Sequence, residues 1–427
     1  MRAASSSEDL KEYFNISSDD EAALIVDNEL SDYKAKIIDK KIYVDYKFVH
    51  DSLNSRFYWD ANENVLLYTT ASDIISAAAD SNSYSVTKQT NDFGYPIVKA
   101  TSDSALIALD YVKQYSNITF KSYDDPARIV ITSKWDEIDS ATVSKSTQIR
   151  VKGGIKSPIL KEVKKDDKIT ILDSGDKWDK VATEDGVIGY IKRKALSESK
   201  KTKLTNPDYE EETFTHIKKD KDICLAWNQV TSQSANSKVP QVISSTKGIN
   251  VMSPTWFYLN DNNGNLADIA SKDYVSYCHS QGIEVWGLFS NFENTDVDAA
   301  YVLTHTSTRT TLINQIMSAA FNYELDGVNI DFENITEAAY GDSYIEFIRE
   351  LAIKCHNNGI SLSVDVTVPA SFNKFFNRSD MANFADYIVI MGYDEHYKGS
   401  DAGSVSSIPW VTEGVESTLK EVPADQI

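Results

Sequence analysis

Two short segments in the second half of the chain alternate strictly between polar and apolar residues. In residues 361–368 (SLSVDVTV), every odd-numbered position is polar and every even-numbered position is aliphatic. In the segment that follows Asp326 (GVNIDFE), Asn329, Asp331 and Glu333 alternate with apolar residues. Because successive side chains of a strand point to opposite faces, both segments predict strands with one apolar and one polar face. A buried polar face is costly unless it is hydrogen-bonded or functional, so the alternation indicates a site that two strands line.

Both segments belong to a longer region in which predicted strands alternate with predicted helices. The strands are predicted at residues 223–227, 249–254, 283–288, 327–333, 360–368 and 387–393. Repeated βα units predict a parallel sheet, here a TIM-type α/β barrel over residues 220–427. A complete barrel has eight strands and about 250 residues, whereas this region has 208 residues and six predicted strands. We therefore expect a C-terminally incomplete barrel, truncated after about six strands as in a fragment or a degenerate relative.

Four further regions are predicted upstream of the barrel, so the fold class is multidomain. Residues 1–21 are rich in Ser, Asp and Glu and are expected to form a disordered leader. Residues 22–134 combine predicted hairpins with a helical stretch, which indicates an independent α+β module. In residues 139–197, short strands separated by Gly- and Asp-containing turns predict a small all-β barrel. Residues 198–219 are polar and are predicted to be a linker.

Charge and cysteine content exclude several classes of function. The net charge of −21 argues against nucleic-acid binding, which needs a basic surface. The three cysteines lie far apart and match neither a metal site nor a disulfide framework, and we predict no metal and no cofactor. No apolar run is long enough to span a membrane. Residues 140–200 carry 14 Lys and Arg against 9 Asp and Glu, which suits an anionic polymer unless the segment is only a charged spacer.

The carboxyl groups of Asp331 and Glu333 are candidates for general acid–base chemistry. They are two residues apart, hence on one face of the strand with Cα atoms within about 7 Å. Glu333 ends its predicted strand, and barrel enzymes keep their active sites at that end. A neighbouring like charge and partial burial raise the pKa of a carboxyl group, which favours a protonated acid at neutral pH. The alternative is a buried, hydrogen-bonded pair with no catalytic role.

The run Asp326-x-x-Asn329-x-Asp331-x-Glu333 resembles the signature of family 18 glycoside hydrolases. The segments SPTWF at 253–257, VWGL at 285–288, SVDVTVP at 363–369 and MGYDEH at 391–396 are similar to the spore-cortex and wall-lytic branch of that family. This resemblance covers about residues 220–427. Residues 22–134 loosely resemble the N-terminal domain named after copper amine oxidases, but no His cluster accompanies them, so no copper is implied. Residues 139–197 are similar to bacterial SH3 domains, which commonly bind peptidoglycan or its peptides.

The family resemblance implies a retaining mechanism in which the substrate's own 2-acetamido oxygen attacks the anomeric carbon. Glu333 would protonate the leaving oxygen and later activate water, and Asp331 would orient the acetamido group. Tyr393 would hydrogen-bond the acetamido carbonyl, unless it is only a packed barrel tyrosine. The substrate-binding candidates are Asn329, Asp394, Trp227, Trp256, Asp365 and Met391.

Three of these candidates leave questions open. Many family members have Asp at position 329, and Asn329 can hold Asp331 by a hydrogen bond but cannot share a proton with it. The wall-lytic branch commonly has Asn here, so loss of activity is not implied. Trp227 and Trp256 stand at or near the ends of their predicted strands, where they could stack on sugar rings or pack in the core.

The sequence as a whole predicts a hydrolase that acts on peptidoglycan or another N-acetylglucosamine-containing glycan, outside the cell or at the cell wall. The first residues lack the apolar core of a signal peptide, so the protein would be internal or its export segment absent. Two alternatives remain, a chitinase-like glycosidase and a non-catalytic wall-binding protein. The expected incomplete barrel favours the second of these.

Overall fold

The structure, a computed structural model, describes residues 6–333, 335 and 340–427. Two compact units are present. The first comprises residues 1–57, 77–83 and 92–211, and the second comprises residues 58–76, 84–91 and 212–427. Residues 1–5 of the predicted leader lie outside the described residues.

The first part of the chain forms two antiparallel-rich sheets. Its strands are β1 (Glu21–Val26), β2 (Glu29–Ile38), β3 (Lys41–Asp45), β4 (Phe57–Asp60), β5 (Val65–Thr69), β6 (Ile74–Ala78), β7 (Ser83–Val86), β8 (Gln89–Asp92), β9 (Val98–Ala100), β10 (Ala105–Ala108), β11 (Thr119–Tyr123) and β12 (Arg128–Thr132). Its helices are α1 (Leu10–Tyr13), α2 (Tyr46–Phe48) and α3 (Leu109–Gln114), with a π-helical turn at Val49–Leu53. One sheet has the order β11-β12-β1-β2-β3-β10-β9, and the other runs in sequence from β4 to β8.

A third sheet follows in the segment with the basic charge balance. Its strands are β13 (Glu137–Thr142), β14 (Thr147–Arg150), β15 (Ile159–Val163), β16 (Lys168–Asp173), β17 (Trp178–Thr183), β18 (Ile188–Lys192) and β19 (Lys200–Lys203), with a 3-10 turn at Arg193–Ala195. The order is β15-β14-β18-β17-β16-β13-β19, and the pairs are antiparallel. The short strands predicted for residues 139–197 correspond to β14 to β18. The identification of this sheet as an SH3 domain stays a prediction.

The predictions for the leader and the linker need correction. Residues 6–20 are not a disordered leader, because α1 forms there and Phe14 is fully buried against apolar side chains that include Ile149 and Val181. The predicted linker is also structured in part. Strand β19 pairs with β13, and the backbone N–H of Ile217 donates to Asp386 at 2.6 Å. Apolar burial in the first case and backbone pairing in the second override the polar composition of both segments.

The region predicted as an independent α+β module over residues 22–134 is divided between the two units. Residues 58–76 and 84–91, which form most of the sheet β4 to β8, belong to the second unit. Within that unit, the Tyr58 hydroxyl lies 2.8 Å from Ser343 Oγ, and Thr69 Oγ1 donates to Glu346 Oε1 at 2.8 Å. The hairpin of β4 and β5 is therefore part of the unit that also contains the predicted barrel.

The predicted barrel is an open, largely parallel sheet in the residues that the structure describes. Its strands are β20 (Leu225–Asn228), β21 (Val251–Leu259), β22 (Leu266–Asp268), β23 (Glu284–Ser290), β24 (Gly327–Asp331), β25 (Ser361–Thr367) and β26 (Tyr387–Met391). Six of them are parallel, in the order β20-β21-β23-β24-β25-β26, and β22 pairs antiparallel with β21. This half-barrel is consistent with the incomplete barrel expected from the sequence.

Helices connect the parallel strands and follow the last of them, as the alternating pattern predicts. They are α4 (Val239–Ser244), α5 (Lys272–Ser280), α6 (Ala299–Thr304), α7 (Thr306–Tyr323), α8 (Gly341–His356), α9 (Arg378–Phe384) and α10 (Ile408–Thr418), with 3-10 turns at Gln233–Lys238, Ser371–Phe376 and Ala424–Gln426. The apolar residues of the helices and strands form one core, which includes Leu351 of α8 and Ile330 of β24. None of the helices among the described residues combines the length and apolar character that a membrane-spanning segment requires.

The central strand β24 is held close to its neighbour β23. Their register pairs Trp286 with Gly327 and Ser290 with Asp331. A Cβ atom on Gly327 would lie 2.6 Å from ring carbons of Trp286, so only glycine permits this approach. The strand that carries the polar residues is thereby fixed in the middle of the sheet, with Asp331 at its carboxyl-terminal end.

Candidate active site

The predicted acid–base pair lies where β24 ends. Asp331 is the last residue of the strand and is partly buried, and Glu333 follows two residues later with an exposed side chain. The backbone N–H of Glu333 donates to Asn291 Oδ1 at 3.0 Å. Asn291 is buried and directly follows β23, so the neighbouring strand fixes the backbone that presents Glu333.

The pKa values of both carboxyl groups in the pair are raised above their ordinary values. Burial, followed by the charges of Glu333 and Glu293, raises the pKa of Asp331 to about 7. Burial, followed by the charges of Asp394 and Glu293, also raises the pKa of Glu333. The Oδ1 atom of Asp331 is buried and accepts no hydrogen bond from the described residues. A carboxyl group that retains its proton near neutral pH can act as a general acid.

Asn329 stands at the centre of a hydrogen-bond network in the interior of the sheet. Its Oδ1 accepts hydrogen bonds from Trp227 Nε1 and Ser253 Oγ, each at 3.0 Å. Its Nδ2 donates to Asp365 Oδ1 at 2.8 Å. The network joins polar residues from β20, β21, β24 and β25, which the alternating pattern places on one face in β24 and β25.

Tyr393, Asp394 and Met391 stand at the carboxyl-terminal end of β26. Tyr393 is 41% exposed, and burial together with the nearby carboxylates raises its pKa to about 12. Its ring meets the ring of Trp227 edge to face, with centroids 6.5 Å apart. Asp394 adopts a left-handed backbone conformation with φ of 61°. The sequence candidates Tyr393, Asp394 and Glu333 therefore share one rim of the sheet.

A pocket of about 460 Å³ opens beside Glu333. The residues from the sequence prediction that line it are Glu333, Met391, Tyr393 and Asp394. Three further aromatic residues, Phe372, Tyr397 and Trp410, also line the pocket, and sequence reasoning missed them. Aromatic rings beside polar groups suit the apolar faces and hydroxyl groups of sugars.

The two predicted tryptophans differ in the structure. Trp227 is 39% exposed and borders the site. Trp256 is 0% exposed, its indole N–H donates to Asn236 Oδ1 at 2.7 Å, and its ring packs on Tyr274. The predicted sugar contact of Trp256 is wrong, because β21 continues to Leu259 and places this ring in the core instead of at the strand end.

Two residues after β23 complete the site and were not predicted. Asn291 accepts the backbone hydrogen bond of Glu333, and Glu293 accepts hydrogen bonds from Ser290 Oγ at 2.7 Å. A usable signal exists, because Ser290, Asn291 and Glu293 directly follow a predicted parallel strand, where barrel sites lie. The arrangement as a whole offers a proton donor, a second carboxyl group two residues away and a hydroxyl group on one rim.

Comparison with known proteins gives a partial match to one family of enzymes. Residues 294–422 match the family model described as Glycosyl hydrolases family 18. This range contains Asn329, Asp331, Glu333, Asp365 and Tyr393.

Two curated proteins of Bacillus subtilis (strain 168) are similar to parts of the chain. "Uncharacterized glycosylase YvbX" is 24% identical over 181 residues, which cover 39% of this chain and 52% of that protein. The "Cortical fragment-lytic enzyme" is 25% identical over 174 residues, covering 39% of this chain and 40% of that protein. Among solved structures, the Bacillus cereus spore cortex-lytic enzyme SleL is 20% identical with a TM-score of 0.42, covering 48% of each chain.

The chain spans about half or less of the length of these relatives. The matched range includes β24, β25 and β26 together with the acid–base pair. Residues 294–422 of the second unit are therefore similar to glycosyl hydrolases family 18.

Proposed function

We propose that the second unit is a glycosidase that cleaves N-acetylhexosamine linkages of peptidoglycan with retention of configuration, outside the cell or at the cell wall. The observation that carries this proposal is the pair Asp331 and Glu333 at the end of β24. The pKa of each is raised, first by burial and then by neighbouring carboxylates. Cleavage of a glycosidic bond needs a group that still holds a proton near neutral pH, and this pair provides one.

In the first step of the proposed reaction, the Glu333 carboxyl group gives its proton to the glycosidic oxygen. The bond between that oxygen and the anomeric carbon breaks, while the substrate's 2-acetamido oxygen forms a bond to the anomeric carbon from the opposite face. The product is an oxazolinium ion. Asp331 accepts a hydrogen bond from the acetamido N–H, and its negative charge offsets the positive charge of the ion. The Tyr393 hydroxyl donates a hydrogen bond to the acetamido oxygen.

In the second step, the Glu333 carboxylate takes a proton from water. The water oxygen forms a bond to the anomeric carbon, and the bond to the acetamido oxygen breaks. Two inversions at the same carbon restore the original configuration. The mechanism requires an N-acetylated sugar at the cleavage position, because the acetamido group supplies the nucleophile.

Three features support peptidoglycan as the substrate. One similar protein is named as a cortical fragment-lytic enzyme. Residues 139–197 form a separate β-sheet segment with a basic charge balance in a chain of net charge −21, which suits attachment to an anionic wall polymer. The pocket beside Glu333 carries the aromatic rings of Phe372, Tyr397 and Trp410, which suit stacking on sugar rings.

The proposal is tested with Glu333→Gln in the full chain. We expect the wild-type protein to release reducing ends from purified peptidoglycan, and the variant to lower kcat by about 100-fold or more. Glu416→Gln, an equal change on the exposed face of α10, serves as the control and should retain activity. Equal activity of Glu333→Gln and wild type would contradict the catalytic role.

The same assay separates the two alternatives. A higher kcat/KM on oligomers of N-acetylglucosamine than on peptidoglycan would indicate a chitinase-like enzyme. Binding of wall fragments by the wild-type chain without release of reducing ends would indicate a wall-binding protein without catalysis.

A further inference from the structure

Two buried carboxyl oxygens in the interior of the half-barrel have no hydrogen-bond partner among the described residues. They are Asp331 Oδ1 and Asp365 Oδ2. Strands β24 and β25 are parallel, with Ile330 beside Val364. One residue further along both strands, Asp331 and Asp365 come side by side on the same polar face. Buried polar atoms without partners are rare, so this adjacent pair calls for an explanation.

Asn329 fixes the orientation of the second carboxyl group. The indole N–H of Trp227 can only donate, so the Asn329 atom that it contacts is the oxygen, and the Asn329 nitrogen faces Asp365. Asn329 Nδ2 donates to Asp365 Oδ1. Asp365 Oδ1 therefore serves as an acceptor, and Oδ2 is the atom that can carry a proton. Asn329 itself has no proton to exchange with Asp331.

We propose that Asp365 is a positioning residue that shares one proton with Asp331. Asp365 Oδ2 carries this proton and donates a hydrogen bond to Asp331 Oδ1. The proton lies between the two oxygens, and the pair together carries one negative charge. This arrangement leaves Asp331 Oδ2 as the charged oxygen that meets the substrate's acetamido group. The inference rests on the proposed function and names a residue on a neighbouring strand that sets the ionisation of Asp331.

The surroundings of Asp365 favour its protonated form. Burial, and then the charge of Asp331, raises the pKa of Asp365 well above its usual range. The acidic groups that face the pair are Glu333 after β24, Glu293 after β23, Tyr393 after β26 and Tyr344 on α8. The neutral groups are Asn329 on β24 and Trp227 on β20, both of which hydrogen-bond Asp365. All of these are acidic or neutral, and two adjacent buried carboxylates repel each other, so one shared proton is the favoured state.

The first test follows the ionisation itself and needs no substrate. In the full chain labelled with ¹³C at the Asp carboxyl carbon, we expect one signal that stays protonated above about pH 8 and a second that titrates near neutral pH. Asp365→Asn should remove the first signal and move the second to higher pH, because the donor that stabilises the Asp331 carboxylate is lost. Asp331→Asn identifies the second signal. If the wild-type spectrum contains no carboxyl group protonated at about pH 8, the proposal is overturned, whether or not any variant folds.

The second test exchanges the two residues of the hydrogen bond between Asn329 and Asp365, so that the carboxyl group stands at position 329 instead of 365. Asp365→Asn should lower kcat by about 10-fold or more with KM nearly unchanged, because binding groups remain while the shared proton is lost. Adding Asn329→Asp should restore most of kcat, since the protonated carboxyl group is again beside Asp331. A merely structural role for Asp365 predicts no rescue by the double change, and that result would contradict the proposal.

Different results would contradict the proposed glycosidase activity and the proposed role of Asp365. If the wild-type protein cleaves no N-acetylated glycan, the proposed function fails while the titration still tests the shared proton. If the wild-type protein is active but Asp365→Asn leaves the titration of Asp331 unchanged, the function stands and the role of Asp365 is wrong.

Discussion

Carboxyl groups stand at both ends of the parallel strands in the second unit, and their surroundings differ. At the amino-terminal end of β26, Asp386 accepts hydrogen bonds from the backbone N–H groups of Ile217 at 2.6 Å and Leu362 at 2.8 Å. It also hydrogen-bonds His356 Nε2 at 3.0 Å. Both carboxylate oxygens of Asp386 are therefore occupied, although the residue is buried.

The same arrangement recurs two strands earlier. At the amino-terminal end of β24, Asp326 Oδ2 accepts a hydrogen bond from the backbone N–H of Val285 and bonds His279 Nε2, each at 2.8 Å. In both cases, an Asp that precedes one strand hydrogen-bonds the backbone of the adjacent strand. It also hydrogen-bonds a His in the last turn of the helix that precedes that adjacent strand. These two residues join strands and helices and have no part in the proposed chemistry.

The carboxyl-terminal end of the sheet shows the opposite condition. Asp331 and Asp365 each leave one buried oxygen without a partner in the described residues, and the pKa of each is raised. Burial of adjacent carboxyl groups lowers stability when they ionise, whereas a raised pKa keeps a proton available. One residue type thus stabilises the sheet at one end and carries the proposed reactivity at the other. Substitution should therefore lower the free energy of unfolding at the first end and raise it at the second above neutral pH.

The largest change in stability is expected from Asp386→Ala. It removes the acceptor of two backbone N–H groups and one His ring, and each lost partner costs about 1–3 kcal/mol. We expect the free energy of unfolding of the second unit to fall by about 4 kcal/mol, with kcat unchanged in the folded protein. Urea denaturation followed by the fluorescence of the buried Trp256 and Trp286 measures the change.

Asp326→Ala is the matched control for that experiment. Asp326 is about one-third exposed, and its hydrogen bonds to Val285 and His279 involve a single oxygen, so we expect a smaller loss of about 2 kcal/mol. A fall of kcat without a fall of stability in either variant would show that the amino-terminal carboxylates take part in function and would break the comparison.

The next largest effect is expected from Asp331→Asn, and its sign depends on pH. The pKa of Asp331 is about 7 in the folded protein and about 3.9 in an unfolded chain. The folded state therefore binds this proton more tightly, and the associated stability is present below about pH 4 and is lost as the pH rises through about 7. The difference corresponds to at most about 4 kcal/mol, and partial exposure of Asp331 reduces it to about 2 kcal/mol.

Because Asn does not titrate, Asp331→Asn should be more stable than wild type by about 2 kcal/mol at pH 8 and equal to it at pH 4. Urea denaturation of both proteins across this range gives the difference directly. The variant should also lose activity. Lower stability of the variant at pH 8 would contradict the view that ionisation of Asp331 destabilises the carboxyl-terminal end of the sheet.

Local pattern was sufficient to predict the polar face of β24 and β25. Asn329 and Asp365 were placed on inward-facing positions by a period of two, and the structure joins them by a hydrogen bond of 2.8 Å. The period of two is a property of the strand itself and needs no knowledge of the fold. The partner Ser253 on β21 is 76 residues away from Asn329 and has no such signal.

Sequence reasoning failed where burial depends on packing between distant segments. Trp256 lies in the core because α5 and the turn at Gln233–Lys238 cover it through Tyr274 and Asn236. The hairpin of β4 and β5 joins the second unit through Tyr58 and Thr69, which contact side chains more than 270 residues away. Composition within residues 22–134 contains no information about such partners.

Trp227 allows structural support and substrate contact to be separated at the carboxyl-terminal end. Trp227→Phe keeps an aromatic ring and removes the indole N–H that donates to Asn329, so we expect a loss of about 1 kcal/mol in stability and an unchanged KM. Trp227→Ala removes the ring as well. If the ring stacks on a sugar, KM should rise about 10-fold in the second variant. Equal KM values for the two variants would restrict Trp227 to supporting Asn329.

The smallest change in stability is expected at Glu346, a carboxylate outside the sheet. Like Asp386, it accepts hydrogen bonds on both of its oxygens. Glu346 is buried on α8, and its oxygens accept from Thr69 Oγ1 at 2.8 Å and Arg349 Nη1 at 2.9 Å. Thr69→Val keeps the side-chain shape but removes one donor, so we expect a loss of about 1 kcal/mol with kcat unchanged. A double-mutant cycle with Glu346→Gln measures the coupling. Zero coupling energy would show that the hydrogen bond between Thr69 and Glu346 adds no stability. A change in kcat would show that residues on α8 also affect the proposed reaction.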